Sequence, residues 1–124
     1  MEEQAMLPVE TLEVFQRAYQ CSFRVHEWCL KFPQIEQYKG LATQLRDSSK
    51  SVVFNLAEGY SFKTRRVKRF INHLEISIGS CDETRIGLKY GYDFGYIDDT
   101  EYSELMRSYD EIGKMLWGLL KSVE

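Results

Sequence analysis

Two prolines, three cysteines and two histidines among 124 residues leave little material for most catalytic or disulfide-stapled designs. Cys21, Cys29 and Cys81 form no CxxC pair and share no cluster with histidine. They therefore point to neither a zinc site nor a disulfide framework, and read as small apolar core residues. His26 and His73 are single histidines outside any HExxH pattern, and no serine occupies a GxSxG elbow. The carboxylate pairs Asp82-Glu83 and Asp98-Asp99 lack the Glu-x-x-His spacing of a di-iron bundle. An enzyme is therefore not expected, nor is a metal or other cofactor. No apolar run approaches the roughly 18 residues of a membrane span. The opening Met1-Glu2-Glu3-Gln4 is acidic where a secretory leader would be basic, and no apolar stretch follows it. A cytoplasmic protein with no membrane partner is the expectation. Sustained period-two alternation is also missing, so no sheet is expected.

What is present is helical periodicity, punctuated by Pro8 and Pro33. A first helix is expected over about 9–31, with Leu12, Phe15, Tyr19, Phe23 and His26 or Leu30 at three- and four-residue steps. A second, about 41–58, carries Leu41, Leu45, Val52 and Leu56 and closes at Gly59, a residue suited to a left-handed C-terminal position. A third, about 64–92, places Val67, Phe70, Ile71, Leu74, Ile78 and Cys81 on one stripe. The fourth, about 98–122, has the clearest start. Asp98 is placed to cap, Glu101 to reach back three residues later, and Ile97 and Tyr102 to form a hydrophobic staple. Tyr102, Leu105, Tyr109, Ile112, Leu116 and Leu119 then make a heptad-like seam, with Met106, Gly113 and Leu120 beside it. Gly113 and Gly118 would allow another helix to approach closely. Four helices with short connections in a chain of this length imply one domain, residues 1–124. The expected fold class is all-α, an antiparallel up-down-up-down four-helix bundle.

Charge is distributed unevenly along that bundle. The chain has a net charge of -3, yet residues 41–70 hold seven basic side chains against two acidic ones, and five of the seven residues from Lys63 to Arg69 are basic. Arg65, Lys68 and Arg69 point away from the apolar stripe of the third helix, with Arg66 on its flank. An acidic chain that gathers its cations in one place can attract a phosphate backbone there. The candidate nucleic-acid-binding residues are Lys63, Arg65, Arg66, Lys68 and Arg69, joined by Arg46 and Lys50 of the second helix. Tyr60 and Phe62 could stack on bases if exposed. A solvated helix face is the plainer alternative for such a run.

The third helix has a second feature. Ile76, Gly79, Ile86 and Tyr90 fall together on the side roughly opposite its core stripe. One four-helix core can use only one of these faces, so the other is the expected oligomer interface.

Several motifs resemble a known family. Phe32-Pro33, Glu36, Tyr38, Gly40-Leu41, Thr43-Gln44-Leu45-Arg46, Ser51, the run Asn55-Leu56-Ala57-Glu58-Gly59-Tyr60, Gly79-Ser80 with Glu83, and Gly95-Tyr96-Ile97 occur in an order covering about residues 10 to 122. Together they resemble the bacterial four-helix-bundle proteins encoded within intervening sequences of large-subunit ribosomal RNA genes, the S23 proteins. That group includes the Avd accessory proteins of diversity-generating retroelements. The Asn-x-Ala-Glu-Gly element, with Asn55, Glu58 and Gly59, is the most specific part. The resemblance implies a ring-like homopentamer with a basic surface and an RNA- or DNA-associated role, alongside a reverse transcriptase in the retroelement branch. The chain departs from the pattern at Thr84 and Arg85, and again at Asp47 and Ser48. Glu58, an acid at the C-terminal end of a helix where the macrodipole disfavours it, calls for a cationic partner, and Arg85 is the candidate.

Two functions remain in contention. One is sequence-tolerant binding of a phosphate backbone, with contacts multiplied by a ring. The other is a protein-interaction scaffold whose basic patch docks an acidic protein or a polymerase without touching nucleic acid itself.

Overall fold

A computed structural model describes residues 7–124; the acidic opening Met1-Glu2-Glu3-Gln4 lies outside them. Among the described residues there are four α-helices and no strand: α1 Glu13–Leu30, α2 Leu41–Tyr60, α3 Val67–Asp93 and α4 Asp99–Val123. Each is joined to the next by a connection short enough to bring it back antiparallel, giving the up-down-up-down bundle. Two 3-10 turns, Pro8–Thr11 and Gln34–Glu36, precede α1 and α2.

The N-terminal helix begins later than its pattern implies. Pro8 opens a 3-10 turn, and Leu12 is extended at ψ 131° before α1 starts at Glu13. Its buried face also differs from the expected one. Val14, Ala18, Cys21, Val25 and Cys29 face the core, whereas Tyr19, Phe23 and Leu30 are exposed. The small side chains let α1 lie close to its neighbours, and the aromatic stripe is left outside.

Between α1 and α2, Glu36 ties three segments together. One carboxylate oxygen accepts from the Leu41 N–H at 3.0 Å, serving the open end of α2, and the other accepts from the Tyr96 hydroxyl at 3.1 Å. Gly40 is required beside it, because a Cβ there would lie 2.6 Å from the Glu36 backbone. The expected core positions of α2 (Leu41, Leu45, Val52 and Leu56) are all buried.

Gly59 does not end α2 in a left-handed conformation. The helix runs on to Tyr60 and is followed by Ser61 at φ -60°. Gly59 is needed for a different reason: α3 crosses so closely that an added Cβ would stand 2.6 Å from His73 Cβ and 3.3 Å from Phe70. Alongside this crossing a polar strip links the two helices. Ser51 and Ser80 hydroxyls meet at 2.7 Å, Asn55 Nδ2 donates to Ser51, and Asn55 Oδ1 lies 3.1 Å from His73 Nδ1. The departures at Ser48 and Thr84 satisfy each other, since the buried Thr84 hydroxyl donates to Ser48 Oγ at 2.8 Å.

Phe70, Leu74, Ile78 and Cys81 of α3 are buried as expected, but Val67 is 42% exposed because the helix only begins there. On α4, Asp98 Oδ1 accepts from the Glu101 N–H at 2.8 Å, the expected cap. Glu101 does not reach back, because its carboxylate is held by Arg24 of α1 at 2.8 Å, an ion pair across helices that keeps it below the usual carboxylate range. Arg24 also grips Glu104. The seam residues Leu105, Tyr109, Ile112 and Leu116 are all fully buried. Gly118 faces open space and Gly113 makes only an ordinary 3.7 Å contact with Cys81, so neither creates a close helix approach.

Candidate nucleic-acid interface

The basic cluster occupies the corner between α2 and α3. Ser61 to Arg66 continue from α2 as turns, with Phe62 N–H bonded to Gly59 O, Lys63 N–H to Tyr60 O, and Arg66 N–H to Phe62 O. Lys63, Arg65 and Arg66 therefore precede α3 instead of lying on its first turns, and only Lys68 and Arg69 are helical. The third helix starts at Val67 because the chain is still completing the α2 corner at the positions the periodicity assigns to helix. Arg65, Arg66, Lys68 and Arg69 are exposed and Lys63 is half-buried.

The electrostatics of this corner differ from those of the remaining surface. Arg17 pairs with Glu13 and Glu111, Arg24 with Glu101 and Glu104, Arg85 and Lys114 with Asp110, and Lys89 with Asp93. Among the described residues, none of the five cluster cations has a carboxylate partner. Two rest on aromatic rings, Arg69 at 4.1 Å from the Phe62 centroid and Lys63 at 5.5 Å from that of Tyr60. The first turn of α3 carries Lys68 and Arg69, no acid and no side-chain cap, so its backbone N–H groups and the positive end of the helix dipole add to the same field. That placement is unfavourable for the isolated chain and becomes favourable when an anion sits there. A depression of about 330 Å³ lined by Ser61, Phe62, Arg65 and Arg66 opens at this point.

Other expected site residues are placed elsewhere. Tyr60 belongs to the last turn of α2 and packs edge-on against Phe70 at 6.0 Å, while Arg69 covers one face of Phe62, and both rings are half-buried. Arg46 donates to Gln37 Oε1 at 3.2 Å at the opposite end of α2, about 20 Å from Tyr60 at 1.5 Å of rise per residue. Lys50 is exposed on the side of α2 that faces α1. Neither joins the basic corner. Arg85 pairs with Asp110 at 3.7 Å and not with Glu58, whose exposed carboxylate instead stands 3.9 Å from His73 Nδ1.

The outer face of α3 matches expectation in its exposure. Ile76, Ile86 and Tyr90 are 52%, 58% and 54% exposed, and Gly79 looks onto open space. A second apolar surface escaped the sequence reading. Phe15, Tyr19 and Phe23 of α1 line a groove of about 770 Å³ against Lys50, Val53, Phe54 and Ala57 of α2. Its signal, aromatic residues at every fourth position beside a separate stripe of small ones, has the same spacing as a core stripe. Among the described residues no group of three or more His, Cys, Asp and Glu side chains converges as a metal site would, and no helix is long and apolar enough to cross a membrane.

Among the described residues, the four-helix bundle thus presents an unpaired cationic corner and two exposed apolar faces. The chain belongs to the 23S rRNA-intervening sequence protein family, which matches residues 10–118. No curated protein matches it. Its fold is similar to that of a crystal structure from Bacteroides thetaiotaomicron VPI-5482, described as a protein of unknown function from the S23 ribosomal protein family. The TM-score is 0.77 at 22% identity, covering 87% of this chain and 98% of that one. At that identity the likeness establishes the fold.

Proposed function

We propose that this protein is a non-enzymatic nucleic-acid-binding protein, a ring-like homo-oligomer whose basic corners contact phosphate backbones with little regard for sequence. One observation carries the reading: five neighbouring cations without carboxylate partners among the described residues, at the positive end of α3, on a chain whose net charge is negative. Such a corner gains from any anion, and a polyanion that reaches several corners of a ring gains repeatedly. Contact runs chiefly through phosphates, since the exposed groups of the corner are cations and Tyr60 and Phe62 are half-buried beneath them. The family's description ties it to ribosomal RNA genes, which favours RNA as the ligand, and the Avd resemblance adds a reverse transcriptase as a candidate partner.

Fluorescence anisotropy with labelled single-stranded RNA, single-stranded DNA and duplex DNA at about 50 mM salt tests this. Binding to all three by the unmodified protein is expected. Its loss in the triple variant Arg65→Glu, Lys68→Glu, Arg69→Glu, with helicity and assembly unchanged, is expected as well. Retention of binding by that variant, or no binding by the unmodified protein, would leave the scaffold reading in its place.

A further inference from the structure

The two bare apolar faces differ in shape and sign. The groove between α1 and α2 is concave, with Tyr19, Phe23 and Phe54 48%, 54% and 63% exposed, and it carries Lys50. The outer face of α3 is convex and bears Ile76, Ile86 and Tyr90, the last two edging a shallow depression shared with Leu41 and Gln44 of α2, and Glu83 falls within 20° of Ile76 at about 100° per residue. Among the described residues, neither Lys50 nor Glu83 has an ion-pair partner within its own chain.

The bonds between α2 and α3 fix the relative height of these features. Ser51 bonds Ser80, Thr84 bonds Ser48, Ser77 bonds the Val52 carbonyl, and His73 meets Asn55. Lys50 therefore stands level with residues 80–84 of α3 and Phe54 with residues 73–77. Glu83 and Ile76 lie at those same two heights.

We infer that the groove is filled by a second copy of this chain, which inserts its α3 ridge so that Glu83 meets Lys50 and Ile76 meets Phe54. In a ring whose axis runs parallel to the helices, residues of equal height on neighbouring subunits face each other, so the matched heights are what such a ring needs. Because each chain donates a ridge and receives one in its groove, the contact is heterologous, the kind that builds a ring when its rotation closes, and not a two-fold dimer. The pairing removes both apolar faces from water and neutralises a lysine and a glutamate that are otherwise unpaired. It deepens the ring of the proposed function and rests on it. It also assigns Lys50 to assembly instead of to nucleic acid.

Sedimentation mass and disulfide trapping test the pairing. Lys50→Glu and Glu83→Lys should each lower the mass toward that of a single 14.6 kDa chain. The combined swap should restore it, a rescue that a merely structural role of either residue would not produce. Separately, Phe54→Cys with Ile76→Cys in one chain should give, on oxidation, a ladder of dimers and higher species that neither single cysteine variant gives. An assembled unmodified protein with no rescue and no ladder would assign the groove to another occupant and overturn the pairing alone. A single-chain mass for the unmodified protein would overturn the pairing and the ring together, while the anisotropy assay reports separately on nucleic-acid binding.

Discussion

Alkaline pH should destabilise this protein through its thiols. Burial pushes the Cys29 thiol up to about 11, against a slight opposing pull from Arg46, and pushes that of Cys81 up to about 12 with a further push from Asp82. Both side chains are essentially fully buried, and an unfolded thiol titrates near 9. A thiol that holds its proton more tightly in the folded chain supports the fold fully below the unfolded value. That support declines as pH rises toward the folded value. The unfolded thiol ionises progressively through 9, so each contribution falls by about 1 kcal/mol between pH 9 and 10 and by about 1.4 kcal/mol in all between pH 7 and 10, and the two together remove about 3 kcal/mol by pH 10. Cys21, also raised chiefly by burial, and Tyr109, raised well above its ordinary value by the same cause, act in the same direction, the tyrosine only above about 10. Taking about 2.1 cal/mol/K of unfolding entropy per residue over this chain, 3 kcal/mol corresponds to about 10 °C in Tm. Thermal unfolding followed by circular dichroism under reducing conditions should be nearly level from pH 7 to 8.5 and then fall by that amount by pH 10. The double variant Cys29→Ala, Cys81→Ala starts lower because it leaves cavities, but its slope above pH 9 should be much shallower. A Tm that stays level to pH 10.5, or equal slopes in the two proteins, would refute the assignment.

Tyr109 offers a second test, since its hydroxyl is wholly buried without a hydrogen-bond partner among the described residues. Tyr109→Phe should stabilise the bundle by about 1 kcal/mol, or about 4 °C in Tm, by removing a desolvated polar group, and a destabilised variant in urea unfolding would show that the hydroxyl has a partner. Asp98→Ala should cost about 0.5–2 kcal/mol in the same assay through loss of the α4 cap, and an unchanged midpoint would mean that the Arg24 pairs with Glu101 and Glu104 hold that helix end unaided.

Much of the bundle could be read in advance where one apolar stripe occurs per helix. The α4 seam and the α2 core positions follow directly from spacing, and the Asp98 cap from local chemistry. Misreadings arose where spacing carries two meanings. On α1 the bulky stripe of Phe15, Tyr19 and Phe23 competes with a stripe of small residues, and periodicity cannot say that the smaller one permits the closer packing. Gly59 has the composition of a helix end, but the need at that point is for contact with His73, a residue distant in sequence. Partners across helices were likewise invisible. Glu101 is claimed by Arg24 and Arg85 by Asp110, because both depend on which helices become neighbours. The basic corner was legible as a charge run. That its cations stay unpaired while those of α1 are held by α4 follows only from the packed bundle.

The measurement closest to the central claim is the salt dependence of duplex binding. If three to five of Lys63, Arg65, Arg66, Lys68 and Arg69 each neutralise a phosphate, the logarithm of the binding constant should fall against the logarithm of salt concentration with a slope of about -3 to -4.5 per corner engaged. Affinity would then drop by about 40- to 500-fold between 50 and 200 mM. The triple variant Arg65→Glu, Lys68→Glu, Arg69→Glu should show no measurable binding anywhere in that range. A slope near zero for the unmodified protein, or a slope that the triple substitution leaves unchanged, would contradict an interface built on this corner.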